Sequence, residues 1–292
     1  MKLLFKKIKS LLLCLFEDIN LFFLSRNKKN FITNEFTRLL KNYEKKKNYW
    51  DAKAYQILKK ISKFGFDNFL RFRLIKDTMF VSDENNLNKY LDLINLTRDR
   101  QFIKENSFGN PLLSKKVNFT SINKVHQFYH LKLFSNLSKK KHSDVFIEFG
   151  GGYGLLCLLA IKFFRVKKYI IFDLKPLIFI QKIYLKKILN KEEFNKILFV
   201  SKIDILKRYV KGLRKFNFFA FWSFSEIDIK MRKIFFSIIK KSNFFFIGYQ
   251  SYFNKIDNLK YFEEFAKKLN THSIINKKHP CYKDNYYLFA NR

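Results

Sequence analysis

The spacing of apolar and polar positions divides the chain near residue 140. From Asn34 to Tyr90 apolar residues recur every three or four positions, as in Tyr55, Leu58, Ile61 and Phe64, which is the period of helices that bury one face. No strand-like alternation persists there. The stretch NSFGNPLLSKKVNFTSINKV (106–125) carries Gly109, Asn110 and Pro111 and predicts an irregular loop, with a further helix starting near Ser121. After Lys141 the texture changes. Short β-rich runs alternate with helical ones in the order VFIEF, 155–165, KYIIFD, 176–190, KILFVS, 204–214, FNFFAFWSF, 226–241 and NFFFIGYQ. Strands alternating with helices imply βαβ units, and strands that are apolar throughout imply cover on both faces. The expected fold is α/β, a Rossmann-like, doubly wound, mostly parallel sheet over residues 141–292, preceded by a mainly helical region over residues 1–140. SIINKK and NYYLFANR predict an edge hairpin at the end of the chain.

Composition adds a charge question. The 292 residues are 48% hydrophobic, enough for a substantial core, and carry a net charge of +35. Such a charge points to a polyanionic partner, nucleic acid or anionic lipid. A coding bias toward Lys, Asn, Ile and Phe explains the same excess as a solvated basic surface, and no RNA-reading motif accompanies it, so nucleic acid is possible but not favoured. Cys14, Cys157 and Cys281 stand far apart and form no CxxC pair, which indicates neither a zinc site nor a disulfide framework and fits a reducing cytoplasm. The opening MKLLFKKIKSLLLCLF lacks a small-residue cleavage site, and Glu17 and Asp18 end its apolar run well short of a membrane span. Residues 1–24 form either an amphipathic helix packed on the domain or a peripheral contact with the inner membrane surface.

Candidate chemistry begins at FIEFGGGYG (146–154), which holds four of the eight glycines. Glu148, Gly150, Gly152 and Gly154 form E-x-G-x-G-x-G between a predicted strand and a predicted helix. Glycines at such a corner permit positive φ and close ligand approach, and the helix N-terminus offers free N–H groups. The dinucleotide pattern G-x-G-x-x-G fails in both registers, because its last place is Leu155 or Cys157. Asp173 ends the next predicted strand, where a carboxylate can take both hydroxyls of a ribose.

An acid before alternating glycines, then a second acid at the next strand end, resembles motif I of the class I S-adenosylmethionine-dependent methyltransferases. VFIEFGGGYGLLCLLAIKFF with YIIFDLKPLIFIQKIYL is similar, more narrowly, to the sugar O-methyltransferase family, in which Asp173, Leu174, Gln181, Tyr184 and Leu185 fall in register. Lys175 takes the usual proline place and Pro176 follows one position late. FWSFSEIDIKMRKIFFSIIKKS, HPCYKDNYYLFANR and FGNP (108–111) extend the likeness to residues 106–292. The resemblance implies S-adenosylmethionine as cofactor, held by Glu148, Gly150, Gly151, Gly152, Gly154 and Asp173, with Asp204 beside the adenine. It also implies a sugar or glycan acceptor, as in surface polysaccharide biosynthesis.

Methyl transfer to a hydroxyl needs a base. Glu226 in WSFSEID, near the end of the fourth α/β strand, is the first candidate, although S-x-x-D from Ser225 to Asp228 also reads as a plain helix cap. His126 and His130, four residues apart in HQFYH, share one helix face, and with His279 and Asp284 they either reach the acceptor pocket or supply ordinary polarity. Gln127 stands where H-E-x-x-H requires glutamate, so no metal site is expected. Trp222 either stacks on a sugar ring or is a buried aromatic. Two rivals remain: methylation of RNA or another polyanion, and a non-catalytic membrane-surface protein with a decayed cofactor site.

Overall fold

β1 (Val145–Phe149), β2 (Lys168–Phe172), β3 (Ile197–Val200), β4 (Asn217–Phe221) and β5 (Phe244–Gln250) lie parallel, in the order β3-β2-β1-β4-β5. β8 (Ser273–Lys278) and β9 (Asn285–Asn291) complete a seven-stranded sheet, with β9 antiparallel to both β5 and β8. These positions come from a computed structural model that describes residues 33–46, 48–80, 83–269 and 273–292. Residues 1–24 and Cys14, which bear the membrane-contact and thiol expectations, lie outside the described residues. Among those described, no helix is long and apolar enough to cross a membrane.

The parallel strands and their connecting helices match the sequence expectation to within a few residues. The terminal hairpin differs in placement. β9 inserts beside β5 because its Tyr287, Leu288, Phe289 and Ala290 are all buried, while the exposed β8 forms the edge. A short hairpin, β6 (Tyr252–Phe253) and β7 (Ile256–Asp257), and the helix Asn258–Lys267 were not expected. The hairpin is only two pairs long and turns through Asn254 and Lys255 at positive φ, so its sequence carries no sustained alternation.

Alternate residues of each strand feed two cores, as a sheet covered on both faces requires. Phe146, Tyr169, Phe219, Phe246 and Phe289 face one core, shared with the helices Leu155–Phe163 and Lys175–Ile188 and with the helical region before residue 140. Ile147, Ile170, Phe218, Phe245 and Leu288 face the other, under the helices Ile203–Lys211, Ile229–Ile239 and Asn258–Lys267. Phe134, on the helix Ile122–Leu137, is fully buried, with ring centroids 4.7 Å from Phe219 and 6.2 Å from Phe146 and Phe289. Aromatic edge-to-face contacts of this kind lock that helix to the sheet. Ser121 caps it, accepting from Lys124 N–H at 3.1 Å.

Between β1 and β4 the strand order reverses direction, which opens a crevice at the carboxyl ends of the strands. The helical region roofs it: Trp50, Thr78, Met79 and Phe80 face the glycine corner across a cavity of about 630 Å³.

Candidate active site

The glycine corner leaves β1 at Gly150, whose N–H donates to Phe172 O at 2.9 Å, and turns into the helix Leu155–Phe163 at Gly154. No side chain caps that helix, so its first N–H groups stay available. Gly150 has φ +73°, and a Cβ there would overlap Ser223 Cβ. The constraint at Gly150 therefore comes from the protein's own chain, since Ser223 Oγ donates to Phe149 O and pins the corner to the segment after β4. Gly152 differs. At φ +56° its Cβ direction meets only Met79, at 3.8 Å, and otherwise faces the cavity.

Asp173 meets this corner. Its Oδ1 accepts from Leu174 N–H at 2.8 Å, its Oδ2 from Gln181 Nε2 at 2.7 Å, and the N–H groups of Gly151 and Gly152 add to them. Gln181 Nε2 also donates to Gly152 O at 3.0 Å, so one amide ties the acid to the loop. Burial raises the Asp173 carboxyl to about 7 against the pull of these donors. Glu148 lies beneath the loop and accepts from Tyr169 Oη at 3.0 Å, and burial raises it to about 8. Both acids, with Gly150, Gly151 and Gly152, line the cavity. Gly154 begins the helix behind them.

Glu226 also lines the cavity. The helix-cap alternative fails in detail: the cap of the helix Ile229–Ile239 is Asp228, which accepts from Met231 N–H at 2.9 Å, and Glu226 lies before it in a 3-10 turn, Ser223–Glu226. That turn is held from both sides. Arg232, fully buried, donates to Ser225 O at 2.5 Å and to Ile227 O at 3.0 Å, the two carbonyls flanking Glu226. Gln250 accepts from Ser225 Oγ at 2.7 Å and donates to Glu226 Oε1 at 3.1 Å. Burial raises Glu226 to about 7, the range in which a carboxylate works as a general base near neutral pH. Trp222 starts the turn at φ +63° and ψ −42°, a strained conformation for a bulky residue, fixed by its N–H to Gly248 O at 2.6 Å.

The remaining candidates fall elsewhere. Asp204 is exposed in the first turn of the helix Ile203–Lys211 and does not line the cavity; Ser201, three positions earlier at the end of β3, does. Asp284 is exposed and also outside. His126 and His279 meet at 3.2 Å between their Nε2 atoms, and His130 Nε2 lies 2.9 Å from Tyr287 Oη, but all three rings are buried and none lines the cavity. Trp222 lines it instead and packs against both His126 and His279, at 5.5 and 6.0 Å. The cause is one helical step: on the helix Ile122–Leu137 Asn123 and Gln127 face the cavity, while His126 and His130, about 100° away, face the sheet.

The ring nitrogens of the three histidines lie within 4.8 Å of one another, close enough to invite a metal. The hydrogen bonds assign them otherwise. His279 Nδ1 accepts from the N–H groups of Cys281 (3.0 Å) and Tyr282 (3.3 Å), so a neutral His279 carries its proton on Nε2 and donates it to His126. A histidine ligating a metal through Nε2 keeps its proton on Nδ1 and donates from there. Burial holds all three rings neutral, with His279 lowered to about 3.

Strand order, covering helices and the crevice at the reversal define a Rossmann-like, doubly wound, mostly parallel α/β fold. Solved structures similar to this chain include the methyltransferase domain of bacterial CtHen1, at 12% identity over 56% of this chain and 97% of that one, with a TM-score of 0.46. An rRNA methylase from Streptococcus thermophilus has 10% identity, 56% and 95% coverage and a TM-score of 0.43. The glycopeptide N-methyltransferase MtfA, complexed with sinefungin, has 9% identity, 56% and 92% coverage and a TM-score of 0.43. No protein-family model and no curated protein matches the chain.

Proposed function

We propose that this chain is an S-adenosylmethionine-dependent methyltransferase that methylates a sugar hydroxyl, with Glu226 as general base. The observation that carries the reading is that the glycine corner, Asp173 and Glu226 all line one cavity. The donor set fits the cofactor. Asp173 is placed for ribose hydroxyls, Glu148 and the loop for the amino-acid end, and the free N–H groups of the helix Leu155–Phe163 for its carboxylate. The cofactor, when bound, supplies an electrophilic methyl group on a sulfonium sulfur. Glu226 would take the proton of the acceptor hydroxyl as that oxygen received the methyl group the cofactor would supply. Arg232 and Gln250 hold the base in place, which limits the reorganisation needed at the moment of transfer. Trp222 contributes to the cavity lining though it is buried, its Nε1 donating to Asn285 Oδ1 at 2.6 Å.

Calorimetry with S-adenosylmethionine and with NAD tests the cofactor assignment. Saturable binding of the first and none of the second is the expected result; binding of NAD alone would reject the reading.

A further inference from the structure

Leu112 and Leu113, neighbours in the loop before the helix Ile122–Leu137, are 55% and 42% exposed. Among the described residues neither packs against either core. A lone exposed leucine needs no explanation. This pair is different, because the loop is fixed on both sides of it. On the near side Arg71 donates to Asn110 O at 2.7 Å and to Asn110 Oδ1 at 3.1 Å, Asn110 Nδ2 donates to Asn68 Oδ1 at 2.7 Å, and Leu70 N–H donates to Gly109 O at 3.0 Å. On the far side Ser114 is buried: its N–H donates to Thr120 O at 2.7 Å and its Oγ to Glu84 Oε1 at 2.6 Å. The two leucines are thus held out from a chain that is anchored immediately before and after them.

Basic groups surround the pair. Lys115 and Lys116 follow it and are exposed. Lys104 and Arg100, also exposed, stand on the adjoining segment, where Glu105 N–H donates to Phe119 O at 2.9 Å and the Arg100 guanidinium lies 4.0 Å over the Phe119 ring. The nearby acids are engaged inside the protein. Glu84 takes Ser114 Oγ and Lys116 N–H, Glu105 takes Ser121 Oγ and Lys124 Nζ, and the exposed Asp83 takes Asn85 N–H. Protruding aliphatic side chains with a cationic rim match the two layers of an anionic bilayer, the acyl boundary for leucine and the headgroups for lysine. RNA offers the anions to a chain of net charge +35 but no apolar layer for two leucines.

We propose that the loop 110–116 is a peripheral membrane contact, with Leu112 and Leu113 entering the interface of an anionic bilayer and Lys115 and Lys116 at its headgroups. The surface goes beyond the methyltransferase reading and stands without it. Because the loop is already ordered, little conformational entropy is lost when it inserts.

Flotation of the full chain with vesicles tests this, using phosphatidylcholine alone and phosphatidylcholine with about one third phosphatidylglycerol. Wild type should float with the mixed vesicles and retain part of that binding at about half-molar salt, where adsorption by charge alone is screened. The double variant Leu112→Ser, Leu113→Ser keeps the net charge, so its loss reports the leucines; partitioning should weaken by about tenfold or more at an unchanged urea midpoint. Lys115→Gln with Lys116→Gln should weaken it by about tenfold at low salt. Depth supplies a reading that does not depend on those variants: tryptophan emission from Leu112→Trp, with wild-type emission subtracted, should shift to the blue and be quenched by brominated acyl chains. Tyr209→Trp, at an exposed position on the helix Ile203–Lys211, should show neither. Failure of wild type to float, unchanged flotation of the leucine variant, or equal quenching at both tryptophans would each overturn the proposal. So would an equal loss of RNA affinity in the leucine variant, which would make the loop a nucleic-acid contact.

Discussion

Two buried clusters of titratable side chains flank Trp222, and they differ in what they face. On one side Asp173 and Glu226 open onto the cavity, their carboxyls raised to about 7. On the other His126, His130 and His279 are closed in by Tyr90, Phe221 and Tyr287 and held neutral by the same desolvation. Perturbed titration alone does not separate chemistry from structure, because burial produces it in both places. Contact with an open volume does. The histidines make two hydrogen bonds, His126 to His279 and His130 to Tyr287, that fasten the terminal hairpin to the helix Ile122–Leu137, whereas the carboxylates line space that a ligand can occupy.

The sharpest test of this contrast is Asp173→Ala. It removes the acceptor that gathers Leu174, Gln181 and the glycine loop, and S-adenosylmethionine affinity measured by calorimetry should fall by about 100-fold or more, the range for losing a charged hydrogen-bond partner at a buried site. His279→Gln, on the sealed side, should leave that affinity within about threefold and lower stability by about 1–3 kcal/mol in urea melts. If the histidine substitution instead abolished cofactor binding, the division between the clusters would be lost.

Glu226→Gln comes next. General-base removal costs roughly 10² to 10⁴ in rate, so kcat should drop by that factor while cofactor affinity holds. The pH profile supplies a second reading. With its carboxyl raised to about 7, wild-type kcat/KM should climb as pH rises through about 7 and the base ionises. The glutamine variant should lack that limb, and His126→Leu should keep it. A limb that survives Glu226→Gln would assign the proton transfer to another group.

The sequence displayed the sheet and the cofactor corner more fully than the acceptor side, for physical reasons. VFIEF, KYIIFD and NFFFIGYQ are continuous apolar runs whose length and bounding turns leave little choice, and a glycine cluster stands out in a chain that holds only eight. Glu148, Gly150 and Asp173 could be placed because they are tied to strand ends. The acceptor wall is assembled from separate elements, Trp50 and Met79 from the roof and Asn123 and Gln127 from the long helix, and no local pattern announces such a meeting. A buried helix also hides its facing: Ile122–Leu137 is buried nearly all round and scatters polar residues over every face, so nothing in its period tells whether His126 or Gln127 points to the crevice. Arg232 gave no signal either. It reads as one more basic residue of a basic helix, and only the fold reveals that it clasps the carbonyls on both sides of Glu226.

The glycines sharpen the comparison further, since Gly150 touches protein and Gly152 touches space. Gly150→Ala combines a positive φ with overlap on Ser223 and should destabilise the fold by about 2–4 kcal/mol. Gly152→Ala meets only the φ penalty, about 1 kcal/mol, yet places a methyl group toward the cofactor. Urea melts and calorimetry should therefore rank the pair in opposite orders, stability falling more for the first and cofactor affinity, relative to stability, more for the second.

The smallest expected effect is the pH dependence of the ligand-free fold, where the two clusters should act with opposite sign. Asp173 and Glu148 have ordinary values of 3.8 and 4.5 and are raised to about 7 and about 8. Between those limits the folded chain holds protons that the unfolded chain has released, so their contribution to stability is full in acid and is lost as pH rises through 7 and 8. The histidines reverse this. Below their ordinary 6.5 the unfolded chain takes up protons that the buried rings refuse, so their contribution is present above 6.5 and is lost as pH falls toward 3, the value to which His279 is lowered. Above 6.5 only the carboxyls, Glu226 included, still titrate, so urea midpoints should decline from pH 6.5 to pH 9, while below 6.5 the two sets oppose one another. Glu148→Gln should make the alkaline limb shallower and leave the histidine contribution on the acid limb, and His126→Leu should do the converse. Were either substitution to flatten the other's limb, the carboxylates and histidines would be titrating as one coupled group, and the wall that Trp222 forms between them would not insulate them.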